Sequence, residues 1–368
     1  MELLLVSPAW AQIKVLLLLE QIPQDTPPEA YIYLAGNFND WNPADARYRF
    51  VPDETGRYRL EFSTALETAL EAKLTLGNWK QTELDSLGNE KPNYRWNPRE
   101  KSVYSLKVEA WRPLPPPTAS PRVILDSVRI PGQGQYRTLR MYLPPAYATS
   151  QSRFPVMYMY DAQNLFDQAT AFAGEWGVDE MLDSLTALQQ IVVGIDNDGA
   201  NRLHEYTAWT HSHYGGGGGG KHTDFIVRVV KPYVDKAYRT KKERQNTGIM
   251  GSSLGGLSAF YAALQYPKVF GQAGIFSPSF WFSDSVQVFA REKARQTAPR
   301  PRLYFLVGGQ ESETMVPDTE AIVAILEKEG YPSEHIRLKV NPRGQHNEAF
   351  WRKELAEAWT WLRKVARH

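Results

Sequence analysis

The chain has 368 residues, with 42 Lys and Arg against 41 Asp and Glu, and it contains no cysteine. That length allows two domains, one of them large enough to bury most of its surface. The net charge of +1 offers no phosphate-seeking field and argues against nucleic acid, and the missing thiols exclude disulfides, thiolate zinc sites and a cysteine nucleophile.

The stretch from Leu3 to Leu19 is apolar but is interrupted by Pro8, Gln12 and Lys14, so it does not read as a membrane span. Ala9-Trp10-Ala11 has the small-x-small form of a signal-peptidase site, yet no basic residue precedes the short apolar run. Residues 1–12 therefore carry two readings. They are the end of an export signal, placing the protein in the periplasm or outside the cell, or a leader on a cytoplasmic chain.

From residue 13 to 109 the pattern is that of strands. Ile13–Glu20, Tyr31–Gly36, Arg57–Phe62, Glu71–Leu76 and Ser102–Val108 alternate or are rich in β-branched and aromatic residues, and turn signals such as Asn42-Pro43 and Gly77-Asn78 separate them. A small immunoglobulin-like β-sandwich is predicted. Residues 110–121, with five prolines, then form an extended spacer.

Residues 122–368 change character. Short apolar runs at Val156–Tyr160, Ile191–Ile195, Thr247–Met250, Gly274–Phe276, Leu303–Val307 and Ile336–Val340 predict buried strands. Helical stretches lie between them at Val178–Gln189, Asp224–Tyr238, Leu254–Tyr266, Ser285–Arg295, Thr319–Glu329 and Glu348–Val365. This alternation predicts an α/β domain with a mostly parallel sheet, whose chemistry collects at the carboxyl ends of the strands. The six-glycine run Gly215–Gly220 predicts a mobile loop, read either as a substrate gate or as a surface insertion.

Gly251-Ser252-Ser253-Leu254-Gly255 is a G-x-S-x-G pattern. A chain of this length meets that pattern by chance roughly one time in eight, so context has to carry it. A strand runs into it and a helix runs out, which is the turn that lifts a serine hydroxyl above a sheet. Serine needs a positioned base, and His346, in the loop after the last strand, stands downstream of Ser253 as the order Ser…acid…His requires. Glu311 follows Leu303–Val307 and is placed to orient that imidazole, with Glu313 and Asp318 as alternatives and Asp284 as a helix cap. An oxyanion hole needs two N–H groups, here assigned to Leu254 and to Gln163 in the loop after Val156–Tyr160. His211 and His213 lack a third ligand nearby and read as a solvated loop, so no metal site is expected.

Six blocks in order then resemble the esterase D and enterochelin-esterase-like family of α/β-hydrolases. They are Tyr160–Asp167, Glu175–Asp179, Val193–Asp196 with Arg202 and Glu205-Tyr206, Gly251–Gly256, Phe276–Trp281 and Gly344–Glu348. The resemblance implies ester hydrolysis through Ser253 and His346 without metal or organic cofactor. Asp161, Trp176, Arg202 and Trp281 are expected to wall the substrate pocket.

Tyr33–Pro43 and Ala72–Trp79 resemble the glycogen- and starch-binding sandwich of the AMP-activated kinase type. That resemblance implies sugar stacking on Trp41 and Trp79 and hydroxyl binding by Lys73, although the same tryptophans can simply cover a packing domain. The expected function is a serine carboxylic-ester hydrolase acting on an acetyl or feruloyl ester of a carbohydrate. Alternatives are a siderophore trilactone esterase and, from another class, a noncatalytic carbohydrate-binding protein. The expected partners are a small-molecule or polysaccharide ester and a glucan or xylan held by the first domain, with neither nucleic acid nor membrane.

Overall fold

The computed structural model describes residues 13–64, 69–172, 174–296 and 299–363. The twelve residues weighed as an export signal lie outside that set, and no helix among the described residues is long and apolar enough to cross a membrane. The chain divides into two compact units, Met1–Pro115 and Pro116–His368.

The first unit is built of short strands. Val51–Pro52, Tyr58–Thr64, Ile13–Gln21 and Val103–Lys107 lie side by side in one sheet, and Tyr33–Gly36, Leu70–Thr75 and Tyr94–Trp96 form another. Alternation in Ile13–Gln21 sends Val15, Leu17 and Leu19 inward to meet Leu34, Leu60, Leu74 and Leu106, which makes one apolar core. Ala110–Trp111 pairs with Glu83–Leu84, so the first residues expected to be spacer belong to a two-stranded ladder. Proline enters only beyond it, where no ladder N–H is needed.

The second unit holds an eight-stranded sheet, numbered here within the unit: β1 Val123–Arg129, β2 Tyr136–Tyr142, β3 Val156–Tyr160, β4 Ile191–Ile195, β5 Thr247–Ser252, β6 Gln272–Phe276, β7 Arg302–Gly308 and β8 Ile336–Asn341. Their order is β1-β2-β4-β3-β5-β6-β7-β8. Strand β2 is antiparallel to both neighbours, and the pairs from β4 through β8 are parallel. The central strands are buried throughout because helices cover both faces. One face packs on Leu257, Phe260 and Ile322, and the other on Trp351, Leu355 and Trp359. This is the α/β-hydrolase architecture expected.

The glycine run is ordered rather than loose. Gly215–Gly216 pairs with Thr210–His211, and Gly219 opens the helix Gly219–Phe225. A Cβ on Gly216 would meet Thr207 Oγ1 at 2.2 Å, and one on Gly218 would meet His204 Nε2 at 2.3 Å. Gly216 to Gly219 are therefore glycine because backbone and side chains close in on them, and the run forms a short ladder and a helix start where a loop was expected.

Candidate active site

Strand β5 ends in a turn that fixes Ser253 at φ 57° and ψ −124°, a left-handed conformation that a serine adopts only under constraint. The flanking glycines explain how the turn closes. A Cβ on Gly251 would lie 2.6 Å from the Gly255 backbone, and one on Gly256 would lie 2.6 Å from the Phe276 carbonyl. The Ser253 N–H donates to Phe276 O at 3.0 Å, and its carbonyl accepts from the Ser279 N–H at 3.1 Å. Leu254 begins the helix Leu254–Gln265, so its N–H belongs to the first turn, where no intrahelical acceptor exists.

Glu311 and His346 meet. His346 Nδ1 lies 2.6 Å from Glu311 Oε2; the carboxylate side chain is fully buried while the imidazole is 36 % exposed. The other oxygen, Oε1, accepts from Ser277 Oγ at 2.7 Å and from the Gly308 N–H at 2.6 Å. Ser277 Oγ in turn accepts from the Trp351 indole N–H at 2.8 Å, and the His346 ring stands edge-on to Trp351 at 5.2 Å. Two residues further on, Ser279 Oγ lies 3.4 Å from Ser253 Oγ. The segment 277–279 after β6 thus touches both the serine turn and the buried acid.

The loop after β3 is pinned at its first residue. Asp161 sits at φ 56°, its N–H donating to the Tyr206 hydroxyl at 3.1 Å. Arg202 Nε and Nη2 donate to its two oxygens at 2.7 Å each, and Asn197 Nδ2 donates to Oδ1 at 2.7 Å. This bidentate pair fixes a short turn, Ala162–Asn164, that contains Gln163. Asp161 and Arg202, expected in the pocket wall, are engaged with each other in an ion pair just past the end of β3. Glu348 accepts from Asn164 Nδ2 at 3.1 Å, and burial followed by the Asp161 charge raises its carboxyl above the ordinary range.

Trp281 is 49 % exposed and forms an edge contact with Tyr214 at 6.0 Å, so it offers an aromatic surface. Trp176 does not. It is 2 % exposed and stacks on Phe276 at 5.2 Å and beside Trp351 at 5.6 Å. The pocket-wall expectation for Trp176 is therefore corrected to a brace in the core, since an indole enclosed by two rings has no face left for a ligand.

In the first unit Trp41, Lys73 and Trp79 line one open concavity of about 370 Å³ with Glu90, Asn93 and Arg112. The two indoles lie 6.2 Å apart and tilted by 41°. Lys73 is nearly buried and its ammonium donates to Glu90 at 2.7 Å.

A model of the Esterase family matches residues 131–362, more than half of the chain. The chain belongs to that family. Over 243 residues it is 26 % identical to the uncharacterized protein YbbA of Bacillus subtilis, covering 61 % of this chain and 92 % of that one. It is 27 % identical over 248 residues to the iron(III) salmochelin esterase of Escherichia coli, covering 64 % of this chain and 56 % of that one. Among solved structures, the enterobactin esterase FES of Shigella flexneri aligns with 97 % of this chain and 94 % of its own, at a TM-score of 0.53 and 16 % identity. An IroE-like serine hydrolase of Shewanella oneidensis aligns with 64 % of this chain and 78 % of its own, at 0.53 and 21 %. These likenesses show the α/β-hydrolase fold, and the family is one of esterases.

Residues that sequence reasoning left without a role include Ser277, Ser279, Asn164, Glu348 and Trp351. The S-P-S segment was a usable signal for the two serines. Trp351 gave none, because a tryptophan on a helix reads as core until its indole N–H is seen to be spent on a hydroxyl.

Proposed function

We propose that Ser253 is the nucleophile of a carboxylic-ester hydrolase, His346 its base and Glu311 the acid that orients the base. The single observation that carries this reading is the 2.6 Å bond from His346 Nδ1 to the buried Glu311 carboxylate. With Nδ1 committed there, Nε2 is the nitrogen left to accept the serine proton. Ser253 Oγ attacks the ester carbonyl as His346 takes its proton, and the Leu254 and Gln163 N–H groups hold the oxyanion. The proton then passes to the departing alcohol, and water, activated by the same imidazole, releases the acid from the acyl-enzyme.

The substrate we propose is an acetyl or feruloyl ester on a carbohydrate. The concavity of Trp41, Trp79 and Lys73 supports it, because flat indoles suit the C–H face of a sugar and an ammonium suits its hydroxyls. A second reading, a siderophore lactone, draws support from the likeness in fold to an enterobactin esterase along nearly the whole chain. A panel of acetylated and feruloylated sugars, catechol lactones and short acyl nitrophenyl esters, assayed on the full chain, separates the two. Turnover of acylated sugars, together with retardation in gels containing glucan or xylan, is expected. Turnover confined to catechol lactones, without retardation, replaces the first reading by the second. No turnover of any ester overturns both.

A further inference from the structure

A second set of carboxylates lies in the same unit and takes no part in that chemistry. Glu175, Asp179 and Glu180 each present an oxygen, and these atoms all lie within 4.8 Å of one another. Asp179 is fully buried. Its Oδ2 accepts from the Ser120 N–H at 2.7 Å, but its Oδ1 has no hydrogen-bond partner, and neither does the buried Glu180 Oε2. Unpartnered carboxylate oxygens in the interior are costly, so either a bound ion or a proton shared between Asp179 and Glu180 has to satisfy them.

The charge count favours the ion. Among the described residues, Arg352 is the cation within ion-pair distance of this group. Its contacts are long, 3.5 Å to Glu175 and 3.8 Å to Glu180, and none reaches Asp179. When all three carboxylates are ionised, one guanidinium leaves two negative charges, which one divalent ion balances. Carboxylate oxygens gathered this closely can meet around one central ion, and an all-oxygen set of protein ligands suits calcium better than magnesium, which keeps its waters. Thr118 Oγ1, which donates to Glu175 Oε1 at 3.1 Å, stands at the edge of the same site.

We propose that Glu175, Asp179 and Glu180 form a structural divalent-cation site of the calcium type. The ion joins the start of the helix Val178–Ser184 to the segment around Thr118 and Ser120. It also steadies Trp176, the neighbour of Glu175 that stacks on Trp351. The site stands apart from ester hydrolysis and does not depend on that reading. Burial and the neighbouring Glu180 raise the Asp179 carboxyl well above the ordinary range, so without an ion a proton is its competitor for the same oxygens.

The test uses the full chain freed of metal with chelator. Terbium should give saturable emission sensitised by the adjacent Trp176 indole, and excess calcium should displace it. Calcium at a hundred times its dissociation constant should raise the melting midpoint by about 5 °C, reversibly with EDTA. Asp179→Asn and Glu180→Gln should each abolish both responses. If the wild-type protein shows neither response, the orphan oxygens share a proton and the proposal falls. It falls equally if both variants keep the calcium shift, because the ion is then bound elsewhere. Should Asp179→Asn fail to fold, the wild-type titration and Glu180→Gln still decide.

Discussion

The two units use a buried charge in opposite senses. In the second, the buried member of the pair is the carboxylate of Glu311 and the exposed one is His346. In the first, the buried member is the ammonium of Lys73, 7 % exposed, and its partner Glu90 is 59 % exposed. A carboxylate held by Ser277 Oγ and the Gly308 N–H has little freedom to turn, so it dictates the direction of one imidazole. An ammonium with three donors, one of them spent on Glu90, keeps capacity for other oxygens along an open aromatic surface. The first arrangement suits a single proton transfer in fixed geometry, and the second suits loose recognition of many hydroxyls.

The widest separation between the two regions comes from Ser253→Ala. It should lower turnover of short acyl nitrophenyl esters by about three or more orders of magnitude, because the groups of such a site act as a unit. Retardation in glucan gels should stay as it was. Activity equal to wild type in that variant would remove Ser253 from the mechanism. Glu311→Gln comes next, with an expected loss of about two to four orders in kcat. The amide keeps the shape but presents an N–H or a neutral oxygen to Nδ1, and it no longer stabilises the imidazolium. A loss below tenfold would mean that the buried acid only packs.

The reverse experiment is Trp41→Ala. It removes one of the two tilted indoles from the concavity beside Lys73, and about tenfold weaker retention by soluble glucan is expected, in line with the energy of one aromatic contact. The rate on nitrophenyl esters should not move. If retention is unchanged in both Trp41→Ala and Trp79→Ala, the first unit is a packing domain and the contrast with the catalytic unit loses its functional meaning.

Legibility in the sequence followed burial. Strands β3 to β7 were readable as apolar runs because helices cover both their faces, whereas β1 and β2 were not. Val123–Arg129 is the edge strand and largely exposed, and Tyr136–Tyr142 beside it alternates buried with half-buried residues, so charged side chains interrupt both. Tyr94–Trp96 escaped for a different reason: three residues between Pro92 and Pro98 are too few to show a period. At the site, Ser253, Glu311 and His346 could be placed by chain order relative to strands. The surrounding support could not, because Ser277 reaches Glu311 only when β6 and β7 are adjacent, and pairing order is not written in local pattern. The glycine run misled because composition records backbone freedom and not the side chains that press against it.

His222 extends the comparison to a buried ionisable group that has neither kind of partner. It lies in the helix that begins at the glycine run, packed against Tyr160 and Tyr206, with Nε2 lacking any hydrogen-bond partner and Nδ1 3.9 Å from Glu205. Burial, reinforced by Arg137, pushes its pKa down from 6.5 to about 3. Between those values the unfolded chain binds more protons than the native one, so stability rises with pH across that window. The contribution is complete above about 6.5 and is lost as the pH falls towards 3. Urea midpoints measured from pH 7 down to pH 4 should decline less steeply for His222→Phe than for the wild type. Parallel curves would mean that His222 is solvated in the native state. The loss should start near the loop after β3, because the Tyr206 hydroxyl beside His222 is the acceptor that pins the Asp161 N–H. Hydrogen exchange in residues 161–164 should therefore quicken on acidification before it does around Glu311, whose carboxylate is held by Ser277 and Gly308 at the ends of β6 and β7.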